Sequence, residues 1–493
     1  MNRRQFLAAG FAASQLGFRG AAAAGRPNII LMMADDMGWG DPGFNGNRII
    51  HTPNLDAMAK AGLRFTRFYS GGPVCSPTRG TCMTGRHYFR YGITHANEGF
   101  LPQQEITIAE MLKPLGYTTG HFGKWHLGTL TREIKDGRRG GPGTRFYMPP
   151  WQHGFEECFS TEQAVPTWNP MEKQPFPTKY WTGPGKYATE NVAGDDSRVM
   201  MDRVVPFLQR AVRARQPFFA AVWFHAPHQP VVAGPRYRAM YANYDEGAQH
   251  YYGCITALDE QVGRLRRELR ALGVAENTML WFTSDNGPEG RSSGKGTNRG
   301  VTGGLRGRKR SLFSGGVNVP GLLEWPGHAQ PGRVIDLPCS TLDYFPTVQQ
   351  VVDYRMPGKP RPLDGISLVP LIEARMNSRP TPICFRYVQP KSAMFDSPML
   401  AIVEGRYKFL TNLAEDGKDD LLFDLVADRA ETTNILGRHA DLARALKNRL
   451  RDWIEGCRRS HYGADYDDPS YKPWSEFQPL TPTWPSGRNT EED

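Results

Sequence analysis

Two pairs of oxygen-bearing side chains stand at the ends of apolar segments, where they could share a cation. Asp35 and Asp36 follow one apolar run, and Asp285 and Asn286 follow another. Gathered carboxylates repel each other unless a cation lies among them. Carboxylate and amide oxygens, without sulfur or imidazole, favour a hard divalent ion such as Ca²⁺ over zinc. Either pair alone could cap a helix, but the two pairs together predict a site for a hard divalent metal ion.

A cysteine stands at the start of a predicted helix in the segment VCSPTRGTCMTGR, residues 74–86. Pro77 suits a first helical turn, where its missing N–H needs no partner. Cys75 then lies at or just before the helix N-terminus, which favours an anion. Arg79 lies one turn further on and can reach the same point. The thiol is therefore structural, half of a disulfide, a nucleophile or the precursor of another group. A plain thiolate nucleophile, as in protein tyrosine phosphatases, would leave the metal-type ligands idle.

Four more residues supply cationic or protonatable donors. They are Lys124 and His126 in GKWHLG, His225 in FHAPH and Lys309 in GLRGRKRS. With a metal and Arg79, they predict a site for a doubly charged oxyanion in a transfer reaction, and sulfuryl and phosphoryl groups both qualify. A single histidine after a strand is more often a hydrogen-bonded core residue, and we interpret His228 as structural or as an outer residue of the site.

Most of these residues follow segments that predict buried strands. Four apolar runs stop abruptly in polar residues, at 26–36, 117–128, 217–228 and 277–287. Continuous apolar runs are typical of parallel strands covered on both faces, and helical patterns lie between them. The order predicts an α/β/α sandwich with a mostly parallel central sheet, in which ligands bind beyond the carboxyl ends of the strands.

The chain divides into one large and one small predicted domain. Residues 26–385 form the large α/β domain, with an insertion at 131–190 that is rich in Gly, Pro and aromatics, including Trp151, Trp168 and Trp181. Residues 386–460 predict an antiparallel sheet with a packed helix, and 461–493 an irregular tail. Long irregular loops in compact domains are usually functional or disordered.

The N-terminal 25 residues predict an export signal. Arg3, Arg4, Phe6 and Leu7 fit the twin-arginine pattern, ahead of a short apolar stretch and small residues suited to a signal peptidase. We therefore expect a periplasmic or secreted bacterial protein that uses the twin-arginine machinery. Beyond this signal no apolar run approaches the roughly 20 residues of a membrane span, and seven scattered cysteines do not predict a disulfide framework.

The net charge of +10 favours anionic substrates. Much of this charge comes from arginine-rich stretches such as residues 263–272, which are typical of solvated helix faces. No basic groove interleaved with aromatics indicates nucleic acid as a partner.

Several motifs occur together in one order along the chain. Residues 75–86, CSPTRGTCMTGR, are similar to the signature CxPSRxxxxTGR, with threonine at residue 78. The other segments are NIILMMADDMGWGD, TPNLDAMAKAGLRFTRFYS, GYTTGHFGKWHLG, HAPHQP, SDNG, LRGRK followed by GGVNVP, and LLFDLVADRAETTNIL. In these segments, over about residues 27 to 436, the chain resembles the type I, formylglycine-dependent sulfatases of the alkaline phosphatase superfamily. The resemblance implies an alkaline-phosphatase-like fold and hydrolysis of sulfate esters.

The resemblance also implies what Cys75 is for. A formylglycine-generating enzyme would oxidise it to formylglycine, and the folded-state export route would require that conversion in the cytoplasm before folding. One hydroxyl of the hydrated aldehyde would attack sulfur and form a covalent sulfo-enzyme intermediate. The second hydroxyl would allow sulfate to be expelled, which a serine could not do.

Roles for the other residues follow from the same resemblance. One Ca²⁺ would be held by Asp35, Asp36, Asp285 and Asn286, and would orient the hydroxyl of modified Cys75. Arg79 and Lys124 would fix the hydrate, and Asp285 would accept the proton of the nucleophile. His225 and Lys309 would hold the sulfate and protonate the leaving oxygen, whereas His126 would deprotonate the second hydroxyl.

Some positions depart from the family pattern and bear on the substrate. Ser314 stands where an acidic residue is common, Asn318 where an arginine is common, and Cys82 where an aliphatic residue is common. We expect a sulfated carbohydrate as substrate, aryl sulfates as artificial substrates, and sugar contacts from residues 131–190 and 387–395. Two alternatives stay open: a phosphodiester or phosphonate monoester hydrolase of the same superfamily, and a catalytically idle protein that binds sulfated glycans.

Overall fold

The computed structural model describes residues 25–290, 299–388, 397–414 and 416–478. The predicted export signal, apart from its last residue, and residues 479–493 of the predicted irregular tail lie outside the described residues. Most of the segment 387–395, expected to contact sugar, also lies outside them. Among the helices of the described ranges, none combines the length and the apolar character needed to cross a membrane.

A large sheet forms the centre of the protein. Its described strands are β1 (Asn28–Ala34), β2 (Leu63–Tyr69), β3 (Thr118–Lys124), β4 (Glu157–Thr161), β5 (Trp181–Gly183), β6 (Lys186–Tyr187), β7 (Phe218–Trp223), β8 (Thr278–Ser284), β9 (Asn318–Glu324), β10 (Val334–Ile335) and β11 (Cys339–Ser340). The order is β10-β2-β9-β8-β1-β7-β3-β4-β5-β6, with β11 beside β2. The strands β8, β1, β7, β3 and β4 are parallel. The four predicted strands are confirmed, and they lie side by side.

Strand β1 shows why its sequence is apolar without alternation. Ile29, Leu31 and Met33 pack into the core on one face of the sheet. Ile30 and Met32 pack into the core on the other face. Both faces of the strand are therefore buried, as expected for a parallel sheet between helical layers.

Helices cover both faces of this sheet. The described helices are α1 (Pro53–Ala61), α2 (Cys75–Thr84), α3 (Ile108–Leu112), α4 (Asp196–Arg213), α5 (Pro235–Ala239), α6 (Glu246–Ala271), α7 (Ser314–Val317), α8 (Tyr344–Val351), α9 (Val369–Ile372) and α10 (Ala440–His461). Apolar residues of α1, α4 and α6 join the core on one face, and those of α2, α3 and α8 join the core on the other. The predicted α/β/α sandwich is confirmed.

A separate antiparallel sheet follows the large one. Its strands, in the order β12-β13-β14-β15, are β12 (Ile383–Arg386), β13 (Leu400–Glu404), β14 (Tyr407–Thr411) and β15 (Leu421–Asp424). One face packs on α10 through Ile402, Phe409 and Leu450. The other face packs on the large domain, where Phe385 meets Tyr69. This is the predicted small antiparallel sheet with a packed helix.

The insertion at 131–190 is more regular than its composition predicts. It contributes β4, β5 and β6 to the edge of the large sheet. Trp181 is buried in the core, and Trp151 packs against the same core. Trp168 lies against Gly234, where an added Cβ would come within 2.1 Å of its ring. These tryptophans therefore contribute to packing. The regular structure was not predicted because the strands are short and lie among glycine and proline residues.

Asp364 joins α10 to the large domain, which gives a prediction for stability. Its carboxylate accepts hydrogen bonds from Arg90 Nε and Nη2, each at 2.7 Å, and from Trp453 Nε1 at 2.9 Å. The Asp364→Asn variant should lose about 3–5 kcal/mol of unfolding free energy, because Arg90 keeps a buried charge without its partner. Urea unfolding measures this change. Glu455→Gln on the exposed face of α10 is the control, and equal effects of the two variants would contradict the assignment.

Candidate active site

The polar residues that follow β1 and β8 lie together because these strands are parallel neighbours. Ala34 of β1 pairs with Ser284 of β8, so the next residues of both strands emerge at the same edge. The backbone N–H of Asp36 donates to Asp285 Oδ1 at 3.1 Å. Asn286 Nδ2 donates to Asp36 Oδ1 at 2.6 Å. The four predicted metal ligands therefore form one cluster.

Helix α2 delivers Cys75 to this cluster. The helix begins at Cys75, and its N-cap Val74 offers no side-chain acceptor to the free N–H groups of the first turn. Cys75 Sγ lies 3.6 Å from Asp35 Oδ1, and the residue is only 1% exposed. Burial raises the pKa of the thiol to about 12, although Lys124 and Lys309 act to lower it. The raised pKa favours the thiol over the thiolate, which argues against a simple thiolate nucleophile.

Three buried cations surround the carboxylates. Arg79 donates from Nε and Nη2 to Asp285 Oδ2 at 3.1 and 2.7 Å, and its Nη2 lies 3.3 Å from Asp35 Oδ2. Lys124, the last residue of β3, places Nζ 2.7 Å from Asp35 Oδ2. Lys309 places Nζ 2.9 Å from Asp36 Oδ2. All three predicted cations therefore reach the cluster from separate elements.

The cluster has the chemistry of a site for a hard divalent cation. Ligand atoms of Asp35, Asp36, Cys75 and His228 all lie within 4.8 Å of one another. Burial and repulsion by Asp35 raise the pKa of Asp285. The buried Asn286 Oδ1 has no hydrogen-bond partner among the described residues. A divalent ion would satisfy this orphaned oxygen and relieve the repulsion, so the residues fit Ca²⁺.

The two histidines of the HAPH segment have different surroundings. His225 is fully buried, with Nδ1 2.8 Å from Asp196 Oδ2 and Nε2 2.8 Å from Thr161 Oγ1. His228 Nε2 lies 3.7 Å from Asp36 Oδ2, and its side chain is 25% exposed. The structure therefore brings His228 to the cluster, whereas the predicted His225 has both ring nitrogens engaged within the protein.

His126 follows β3 closely in a left-handed backbone conformation, with φ of 57°. Its Nε2 lies 2.8 Å from Asn97 Oδ1. Its Nδ1 is buried and has no hydrogen-bond partner in the ranges that the structure covers. Burial and the charges of Lys124 and Arg139 hold the pKa of the ring well below its usual range. His126 is therefore a neutral imidazole with one nitrogen available.

A family model described as Sulfatase matches residues 27–354. The chain belongs to the sulfatase family. A second model, described as N-sulphoglucosamine sulphohydrolase, C-terminal, matches residues 307–456 of this sulfatase.

Relatives that resemble this sulfatase over most of their length carry related names. N-acetylgalactosamine-6-sulfatase of Mus musculus is 31% identical over 80% of this chain and 74% of its own. Arylsulfatase A of Homo sapiens is 32% identical over 85% of each chain. The crystal structure of Ps i-CgsB in complex with k-i-k-neocarrahexaose is 26% identical, with a TM-score of 0.74 over 88% of this chain and 94% of that one. The predicted family and the predicted hydrolysis of sulfate esters are confirmed.

The departure at Ser314 has a structural counterpart in this sulfatase. The backbone N–H of Ser314 donates to Glu431 Oε2 at 2.6 Å, and Lys408 Nζ donates to Ser314 Oγ at 3.2 Å. Lys408 and Glu431 also form a buried ion pair at 2.8 Å. An acidic group from the C-terminal part of the chain therefore reaches Ser314, where the family often has an acidic residue of its own.

Several residues of the sulfatase site were not predicted from the sequence. Glu289 lies 3.3 Å from Lys309 Nζ, and only its position three residues after Asn286 signalled it. The HAPH segment does indicate a histidine at the site, but it contains two histidines and does not show which one reaches the cluster. The backbone N–H of His228 donates to His225 O at 2.8 Å, so a tight turn connects the two residues. Because of this turn, their side chains reach different surroundings. Asn97 lies in a loop with no pattern that would identify it.

Proposed function

We propose that this sulfatase hydrolyses a sulfated carbohydrate, with a formylglycine hydrate derived from Cys75 and one bound Ca²⁺. The observation that carries the proposal is the position of Cys75, buried at a helix N-terminus 3.6 Å from Asp35 Oδ1. Asp35, Asp36, Asp285, Asn286 and modified residue 75 would hold the ion. The ion would supply fixed positive charge, and the hydrated aldehyde would supply the attacking hydroxyl.

The charge balance of the site supports an anionic substrate. Asp35, Asp36 and Asp285 are matched by Arg79, Lys124 and Lys309. A divalent ion added to this balanced set would leave an excess of two positive charges. Such an excess complements a sulfate group and the charge that develops as it is transferred.

Each cation has a position suited to one task. Arg79 and Lys124 reach the cluster from the side of α2 and β3, so we assign them to residue 75 and the attacking oxygen. Lys309 is also held by Glu289 at 3.3 Å, which supports its protonated state. We therefore assign Lys309 to the sulfate and to protonation of the leaving oxygen.

We assign the second sulfate donor to His228 rather than to His225. His228→Ala should lower kcat/KM by about 10²-fold or more, because a donor at the transferred group is lost. His225→Ala should mainly lower the melting temperature, because it empties a fully buried contact between Asp196 and Thr161. Steady-state kinetics and thermal unfolding of both variants measure this. A large loss of activity in His225→Ala alone, at unchanged stability, would contradict the assignment.

The carbohydrate substrate is supported by the names of the relatives and by one cavity. A cavity of about 370 Å³ adjoins the loop after His228, and it is lined by Pro230, Val231, His250 and Pro175 of the insertion. Its volume lies at the lower end of the range for small-molecule sites, about 300–1,000 Å³. We place a sugar ring of the substrate there.

A comparison of two artificial substrates tests the proposed reaction. The converted enzyme should hydrolyse an aryl sulfate with a kcat/KM at least about 10²-fold higher than for the matching aryl phosphodiester. A clear preference for the phosphodiester would replace the proposal with the phosphohydrolase alternative. Turnover of neither substrate, with binding of sulfated glycan retained, would favour the idle binding protein.

We further infer that the protein is exported by the twin-arginine route to the periplasm or beyond, after a formylglycine-generating enzyme has acted. The inference of export rests on the twin-arginine motif at the N-terminus. The inference that conversion precedes folding rests on the burial of Cys75, since an enzyme could not reach this side chain in the folded protein.

A further inference from the structure

A pair of amides stands beside His126 and orients its ring. Asn97 Oδ1 lies 2.8 Å from His126 Nε2 and also accepts a hydrogen bond from Gln163 Nε2 at 3.2 Å. Because the Gln163 amide donates, it requires an acceptor at this position and so fixes the Asn97 oxygen there. That oxygen accepts in turn from His126, so Nε2 must carry the proton.

The other nitrogen of the ring is left as an acceptor. A neutral imidazole has one N–H, and assignment of the proton to Nε2 leaves a lone pair on Nδ1. Nδ1 is buried, and it has no hydrogen-bond partner within the described part of the chain. The sulfatase resemblance implies a base at His126, and Nδ1 has the free lone pair that this base requires.

Arg139 braces the residues next to this pair. Its guanidinium donates to Gly99 O at 2.7 Å and to Glu98 O at 3.3 Å, directly after Asn97. It donates to Glu162 Oε1 at 3.0 Å, directly before Gln163. It also donates to Ser76 Oγ at 2.9 Å, directly after Cys75. One buried side chain from the insertion therefore ties together three segments around the base and the nucleophile.

We infer that Asn97 and Gln163 are positioning residues that hold His126 as the Nε2–H tautomer, so that Nδ1 is the general base of the second half-reaction. This inference rests on the proposed function for the role of the base. In that step Nδ1 takes the proton of the remaining hydroxyl on residue 75. The O–H electron pair becomes the second bond of the carbonyl, and the carbon–oxygen bond to sulfate breaks with both electrons leaving on sulfate.

The tautomer can be read directly in protein that has not been converted. Nitrogen-15 NMR of histidine-labelled protein distinguishes the two tautomers, and the His126 signal among twelve histidines is assigned by its loss in His126→Gln. We expect Nε2–H in the wild type and in Asn97→Asp, since a carboxylate still accepts. Gln163→Glu should switch His126 to Nδ1–H, because the new carboxylate draws the Asn97 amide toward itself. Nδ1–H in the wild type would overturn the inference, whatever the activity.

Kinetics of converted enzyme then test the role of the tautomer. Gln163→Glu should lower kcat by about 10- to 100-fold with KM for an aryl sulfate nearly unchanged. The sulfated enzyme should accumulate, as seen by intact mass spectrometry, because only the second step is slowed. Asn97→Asp should stay within a few-fold of the wild type on the alkaline plateau of its pH profile.

A matched pair of glycine variants separates positioning from backbone effects. Asn97 and Asn191 both have left-handed backbones, with φ of 67° and 50°, which glycine tolerates. Asn97→Gly should slow the second step, whereas Asn191→Gly, at an exposed site, should not. Unchanged kcat in both Gln163→Glu and Asn97→Gly would overturn the role. Inactivity of wild-type converted enzyme, with the expected tautomer present, would instead refute the proposed function.

Discussion

Cys75→Ser should lose about 10⁴-fold or more in turnover of an aryl sulfate while keeping its fold. A serine at residue 75 retains one hydroxyl beside Asp35 but lacks the second hydroxyl by which the proposed hydrate would expel sulfate. We therefore expect at most one turnover per enzyme, followed by a stable sulfated protein. Stopped-flow release of the phenol and intact mass spectrometry measure the two parts of this result.

Cys82→Ala is the control for this prediction. Cys82 lies in the same helix α2 and is equally buried, but it packs in the hydrophobic core. Its loss should lower stability modestly and leave kcat within a few-fold. Repeated turnover by Cys75→Ser, or by Cys75→Ala, would contradict the role of residue 75.

Removal of the proposed Ca²⁺ should have the second largest effect. We expect a chelator to lower kcat at least about 10²-fold and to lower the melting temperature, because three buried carboxylates then lose their shared counter-ion. Restored Ca²⁺ should recover both. At a concentration one hundred times its Kd, the ion would add about 2.7 kcal/mol to the unfolding free energy. Mg²⁺ should recover less, since it requires a tighter octahedral set of ligands.

Asp285→Asn provides a test with two readouts, activity and the stabilisation by added Ca²⁺, which should be lost together. It removes one of the mutually repelling carboxylates, so the stabilisation by added Ca²⁺ should nearly vanish together with activity. Asp441→Asn, which changes an exposed carboxylate on α10, should retain both. Full activity of chelated wild-type enzyme would contradict a catalytic cation.

The sequence alone predicted the frame of the site because buried parallel strands have a strong pattern. The apolar strands before Asp35 and Asp285 are fully buried, and the strand that ends at Lys124 is buried beyond Thr118. Each stops where polar groups of the site begin. Once the strands are parallel neighbours, their ends must meet. The helix start at Cys75 was also predictable, from Pro77 in its first turn.

The residues that the sequence did not reveal lie in irregular segments. Asn97, Arg139 and Gln163 meet His126 and Ser76 through loops, and no periodicity relates residues that are 29 to 66 positions apart. Which of His225 and His228 reaches the cluster is decided by the tight turn between them. Glu431 reaches Ser314 from 117 residues away. Such contacts arise from packing of the whole chain rather than from a local pattern.

Mass spectrometry of the tryptic peptide that spans residues 68–79 tests the central claim most directly. It should be applied to protein produced with and without a formylglycine-generating enzyme, with aryl sulfate turnover measured on the same samples. We expect the aldehyde form of residue 75 only after co-production, and kcat in proportion to the aldehyde fraction. Full turnover by protein in which residue 75 is entirely an unmodified thiol would contradict the account.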